Sequence, residues 1–433
     1  MCTYKGIPDF EEITNDLKEW GRLKHEEGAD IEGLYSKLEK TLKKGLEDVK
    51  KKKPSAAVNK AMPNSLKEIK KLRPKGPRKI WKKFKEKEYL EKLPGAFLAR
   101  CIGCTMGSVV EFWPVEKMER WAEINGDAFP LNDYWKKALY PESRKYEIEK
   151  HDAYTKNGMD HVPADDDLVY TLIGLLIIEK YGPSFTVKEV GKIWKSLLPN
   201  ACTAEKVALE NLKKGVPAEK AAEKNNPYIH WIGADIRADP FGYAAPGRPE
   251  KAAEMAYEDA CISHRREGIY GEMFFAAAIA ASFAVKDPME ALKIGLTEIP
   301  KDCPLAKDIK WAFRKMKSIK NYRQGREAVE KRFYGMSRVH TNNNACLTVF
   351  GMKLGGKNPV KVLGETVAMG LDNDCTAATA GSLIGAICGR KKIPEYLTKP
   401  FNNKIRTYIK RHEYFDLDDI YKRFAACAVK AFG

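Results

Sequence analysis

The sequence predicts an all-α protein with a basic helical extension at its N-terminus. Three observations carry that prediction. Apolar residues recur at intervals of three and four along most of the chain. Period-two alternation, the mark of a half-buried strand, is scarce. Two runs of acidic residues each stand directly before an apolar or small-residue stretch, where a helix would begin.

The elements follow in order. From about Phe10 to Glu47, Ile13, Leu17, Trp20 and Leu23, then Ile31, Leu34, Leu38 and Leu42, keep helical spacing. Lys51 to Gly76 carries Pro54, Pro63 and Pro74, each lacking an N–H to donate, and reads as broken helix and linker. A boundary falls near Lys85, dividing residues 1–85 from a helical domain of 86–433. Helical patterns then cover Tyr89–Val109, Asp167–Tyr181, Val187–Leu198, Ala204–Lys214, Pro249–His264, Gly271–Val285, Pro288–Ile299, Leu305–Asn321, Asn343–Phe350, Val360–Met369 and Cys375–Cys388. The most apolar of these, Met273–Val285, is shorter than the roughly 20 residues that span a bilayer and reads as a buried core helix, with no membrane partner.

Composition narrows the function classes. A chain of 433 residues that is 44% hydrophobic can bury a substantial core. Its ten cysteines are scattered, unlike those of a small disulfide framework, and Met1-Cys2-Thr3-Tyr4-Lys5 lacks a signal pattern, so a reducing cytoplasmic compartment is expected. The net charge of +17 is uneven: residues 40–92 hold 20 Lys and Arg against 6 Asp and Glu. That segment could attract nucleic acid. Solvated helix faces and a linker explain it better, because no aromatic-interleaved module accompanies the charge.

The acidic runs bear chemistry. Asp165-Asp166-Asp167 precedes an apolar helix, and Asp372-Asn373-Asp374 precedes one containing Ala377, Ala378, Ala380, Gly381, Gly385 and Ala386, whose backbone can approach its neighbours closely. One aspartate would cap each helix by accepting from free N–H groups. Three in a row repel one another, and a cation relieves that repulsion. Hard oxygen donors suit Mg²⁺ or Mn²⁺ rather than Zn²⁺. Cys101 and Cys104 lack the second pair that a structural zinc site would need.

These two runs resemble the signature of the ADP-ribosylglycohydrolase family. Pro94-Gly95-Ala96-Phe97-Leu98-Ala99-Arg100-Cys101-Ile102-Gly103-Cys104 is similar to the family's glycine-rich opening helix. Ile232–Tyr243, Ser263-His264, Gly268–Phe274, His340–Ala345 and Glu26–Asp30 look like a longer bacterial-type subgroup. The resemblance implies an all-α bundle with a binuclear Mg²⁺ centre in a central cleft, with Mn²⁺ as the other candidate, and hydrolysis of an N- or O-glycosidic bond to ADP-ribose or a related riboside. By position it makes Asp165, Asp166, Asp167, Asp372 and Asp374 the metal scaffold. Cys375 stands where many members carry a threonine ligand, although a thiol is a poor magnesium ligand. Cys104 stands where many carry an acidic residue, with Glu111 a nearby substitute. The implied catalytic groups are Asp166, Asp374 and Glu111, and the implied substrate is an ADP-ribosylated protein or a small riboside. A nucleoside hydrolase, or a non-catalytic protein binding ADP-ribose or nucleic acid on the same fold, are the alternatives.

Other polar residues have two readings each. Arg237 and Asp239 would contact phosphate or ribose, or pair with each other. His340 and Asn343, in a run of polar residues before an apolar helix, would contact substrate or cap the helix. Tyr270 and Gly271 would let backbone approach a ligand or merely turn the chain. Phe112-Trp113 would stack on a base or pack in the core.

Overall fold

Helices dominate the computed structural model, which describes residues 4–136 and 148–432. The chain divides into two compact units, Met1–Ala61 with Lys331–Ser337, and Met62–Glu330 with Arg338–Gly433. In the first unit the spacing around Ile13 and Leu34 forms α1 (Glu11–Glu26) and α2 (Glu32–Lys50), followed by α3 (Ala56–Ala61). Neither α1 nor α2 has a buried residue, and Ile13, Trp20, Leu34 and Leu42 are exposed. Tyr35 links the two helices by donating to the Leu17 carbonyl.

The second unit begins inside the stretch read as linker. There α4 (Leu66–Leu72) is capped by Ser65, whose hydroxyl accepts from the Glu68 N–H at 3.4 Å. Ile69 and Trp81 are buried, and Arg73 and Arg78 each reach the carboxylate of Glu298 at 2.5 Å. Part of the basic segment is therefore answered by acids of its own unit.

There follow α5 (Glu86–Ser108), α6 (Val115–Asn125), α7 (Asp166–Tyr181), α8 (Val187–Leu197), α9 (Thr203–Lys213), α10 (Asp239–Ala244), α11 (Pro249–Ala260), α12 (Glu267–Ser282), α13 (Pro288–Gly295), α14 (Pro304–Lys315), α15 (Tyr322–Arg332), α16 (Thr341–Gly355), α17 (Pro359–Ala368), α18 (Asn373–Cys388), α19 (Glu395–Thr398) and α20 (Leu417–Phe432). All of α12 is buried, as its apolar run predicts. Among the described residues no helix is long and apolar enough to cross a membrane. The helices α5 and α18 pack backbone to backbone: a Cβ at Gly381 would lie 2.3 Å from the Ala99 carbonyl oxygen. Around that contact Phe97 is fully buried against Tyr243 and Phe424, and burial of such a side chain contributes about 1.5–3 kcal/mol.

The structure departs from the sequence reading in three places. Helices α6, α15 and α20 were not anticipated. A two-stranded antiparallel hairpin, β1 (Lys404–Ile409) and β2 (His412–Asp416), pairs Ile405 with Phe415, and Val162 pairs alongside Ile405 and so tethers the approach to α7. The segment from Ile232 to Tyr243, outside every helical pattern read from the sequence, is a 3₁₀ turn over Ile232–Arg237 running into buried α10.

Candidate metal centre

Each acidic run does open a helix. Asp165 is the cap of α7: its Oδ1 accepts from the Asp167 N–H at 3.1 Å and its Oδ2 accepts from the Ser108 hydroxyl at 2.8 Å. Asp166 and Asp167 are left over from that duty. Asp167 is 3% exposed, and its Oδ1 has no hydrogen-bond donor, with Arg100 Nη2 standing 3.7 Å away. At α18 Asp372 occupies the cap position without making a capping bond, and the buried Oδ1 of Asp374 also has no donor. A buried carboxylate oxygen without a donor is costly, and a cation satisfies it.

Backbone contacts bring the two runs to the C-terminal end of α5. A Cβ at Gly107 would lie 2.3 Å from Asp374 Cα, so only glycine allows this approach. Beyond α5 the chain reverses at Phe112, with φ 62°, and its N–H donates to the carbonyl of Leu371 at 3.0 Å. Leu371 itself has φ 64°. Two non-glycine residues in the left-handed region, each costing on the order of 1 kcal/mol, therefore flank Glu111 and Asp372 and are joined to each other. Asn344 of α16 adds support, its Oδ1 accepting from the Asp372 N–H at 3.3 Å.

The outcome is two groups of donors. Atoms of Cys104, Asp165 and Asp167 lie within 4.8 Å of one another, and so do atoms of Glu111, Asp372 and Asp374. Asp166 and Cys375 belong to neither group. Asp166 lines the adjoining cavity, and Cys375 is buried with Asp167, Asp372 and Asp374 as charged neighbours.

That cavity, of about 360 Å³, is lined by six carboxylates (Glu111, Asp166, Asp167, Glu205, Asp372 and Asp374) and, among the described residues, by no cationic side chain. Phe112, Tyr170 and Trp231 supply aromatic surface. Burial, reinforced by the neighbouring acids, pushes the Glu111 carboxyl up to about 10 and that of Asp374 up to about 7. The same causes hold Asp166, Asp167 and Asp372 well above the usual carboxylate range. Unpartnered oxygens and oxygen-rich donor groups fit hard divalent ions.

Several sequence candidates lie elsewhere. Arg237 is 1% exposed and ion-paired to Glu205 at 2.6 Å, Asp259 at 2.5 Å and Glu272 at 3.4 Å. Asp239 is buried against Arg100 Nη1 at 2.8 Å and accepts from the Ser382 hydroxyl. The two do not pair with each other, and neither lines the cavity. His340 caps α16, its Nδ1 accepting from the Asn342 N–H at 3.1 Å, while the adjacent Val339 reaches the lining. Asn343 accepts from the Asn344 N–H at 2.9 Å. The Tyr270 hydroxyl donates to the Pro63 carbonyl at 2.5 Å, and Gly271 packs against Asp235.

Sequence reasoning missed Glu205, Trp231 and Tyr170. Tyr170 was within reach, because helical spacing sets it one turn after Asp166 on the same face. Glu205 and Trp231 carry no local signal. Arg338, whose guanidinium lies 4.1 Å from the centroid of the Phe112 ring, was also missed.

The sequence profile of the family described as ADP-ribosylglycohydrolase matches residues 85–428. A solved structure titled "ADP-ribosylglycohydrolase-related protein complex" superposes with a TM-score of 0.50 at 17% identity, over 80% of this chain and 98% of that one, a likeness of fold. No curated protein matches.

Proposed function

This chain belongs to the ADP-ribosylglycohydrolase family, and from that premise we propose that it is a magnesium-dependent hydrolase of an N- or O-glycosidic bond to ADP-ribose or a related riboside. The activity is placed in residues 86–433, onto which residues 62–85 pack through Ile69, Trp81, Arg73 and Arg78. One observation carries the proposal: carboxylates from two separate helix N-termini share a cavity in which buried oxygens lack donors. Asp165, Asp167, Asp372 and Asp374 would hold the ions, with Asp166 beside them. Bound there, Mg²⁺ or Mn²⁺ would supply Lewis-acid polarisation and orientation of ribose hydroxyls.

The chain's own groups do the rest. Glu111, beside Asp372 and Asp374 on the cavity wall, is placed to exchange a proton at the scissile bond. Asp166 and Asp374 present negative charge to the positive charge that develops at the sugar as the leaving group departs. Phe112, Tyr170 and Trp231 offer flat apolar faces to the remainder of the substrate and keep water from that side of the cavity.

Release of free ADP-ribose from ADP-ribosyl conjugates, with and without Mg²⁺, tests the reading. Asp374→Ala should stay folded and lose about 100-fold or more of the activity. A folded Asp374→Ala protein of full activity would refute the centre, and a wild-type protein inert toward every ADP-ribosyl conjugate and riboside in Mg²⁺ and Mn²⁺ would refute the hydrolase.

A further inference from the structure

The two donor groups differ in kind, and of Cys104, Asp165 and Asp167 only Asp167 reaches the cavity wall. Glu111, Asp372 and Asp374 offer oxygen alone, whereas the second group sets the Sγ of Cys104 beside oxygens of Asp165 and Asp167, all within 4.8 Å of one another. Cys104 lies fully buried in the last turns of α5, with the Ser108 hydroxyl 3.8 Å from its sulfur. A buried small hydrophobe would serve packing as well and would not place a polarisable donor against two carboxylates. Independently, the 3%-exposed Asp167 keeps an oxygen without a donor in the same group.

We propose, building on the metal-centre reading above, that the Cys104–Asp165–Asp167 position takes a borderline-soft divalent cation of the zinc class through the Cys104 thiolate. The Asp372–Asp374 position beside Glu111 keeps a hard ion, and the centre is mixed. The donor chemistry separates the two positions. Mg²⁺ requires oxygen ligands near 2.0–2.1 Å and rejects sulfur. Zn²⁺ and Co²⁺ accept thiolate at about 2.3 Å together with carboxylate at about 2.0–2.2 Å, and these three donors, within 4.8 Å of one another, would draw inward onto the ion. On binding, the S–H bond breaks, a sulfur–metal bond forms and the proton passes to solvent. One thiolate and two carboxylates more than neutralise the ion, and the Arg100 guanidinium, shared between Asp239 at 2.8 Å and Asp167 at 3.7 Å, offsets part of the excess.

The test uses the full chain, stripped with chelator and titrated with Co²⁺ as probe in excess Mg²⁺. One equivalent should bind with a thiolate-to-cobalt charge-transfer absorption and release of one proton. C104S should abolish the absorption, whereas C388S, altering a partly exposed thiol at the end of α18, should leave it intact. Absorption that survives C104S, or is lost in C375S alone, overturns the assignment to Cys104. Cobalt bound without the absorption, or displaced fully by Mg²⁺, overturns the mixed centre yet leaves an oxygen-ligated one standing. Absence of any Co²⁺ or Mg²⁺ binding by calorimetry overturns both.

Discussion

A carboxyl group buried among its own kind keeps its proton, and Asp374 and Glu111 are in that condition, raised to about 7 and about 10 chiefly by burial. In the unfolded chain both ionise near pH 4. Between those values the folded state binds more protons than the unfolded one, so the stability of the metal-free protein falls as pH rises. Denaturant unfolding in chelator should show a loss on the order of 1 kcal/mol or more between about pH 5 and pH 8. Saturating Mg²⁺ should flatten or reverse that slope, because an ion stabilises the ionised carboxylates. A metal-free protein that gains stability over the same interval would contradict this account. At this scale the aspartate runs were legible because three adjacent carboxylates exceed what a helix cap needs. Arg237 and Asp239 were not. Their partners Glu205, Glu272, Arg100 and Ser382 come from distant segments, and only burial reveals that both are used up in ion pairs.

Among the elements, α5 and α18 decide the site. Their small residues announced close packing, and the contact of Gly107 with Asp374 is where that packing meets the chemistry. Gly107→Ala should force the helix ends apart, costing about 1–3 kcal/mol of stability. It should also weaken Mg²⁺ binding, measured by calorimetry on the folded variant. An unaltered Mg²⁺ affinity would show that the spacing does not tune the centre. Other elements were harder to read. In α15 only Gly325 and Val329 are buried, so the helix carries almost no apolar stripe. By contrast α20 buries Leu417, Ile420, Phe424 and Cys427 at regular helical intervals, a repeat that was there to be read. The hairpin too left a mark, since β1 buries Ile405, Thr407 and Ile409 between exposed Lys404 and Arg406, and Val162 pairs beside it.

Across the whole molecule, the basic stretch is not a uniform tether. Arg73 and Arg78 neutralise Glu298, which is fully buried, so a cut at the linker would remove both cations from one enclosed anion. Deleting residues 1–85 should therefore destabilise the remaining unit by roughly 3–5 kcal/mol, whereas a chain beginning at Met62 retains both pairs and avoids that loss. Thermal melts of the two truncations, compared at one protein concentration, decide the matter, and equal melting temperatures would show that Glu298 finds another partner. In the first unit several lysines sit beside acids one turn away, as Lys43 does with Glu39 and Lys50 with Glu47, which favours solvated helix faces over a polyanion grip.

The single peptide contact from Phe112 to Leu371 has a practical corollary. It yokes a residue from the first third of the sequence to one near its end, on either side of the proposed reaction site. A split version of the protein, divided anywhere between them, would regain its chemistry only when that yoke re-formed, so recovered turnover would serve as a direct gauge of correct reassembly.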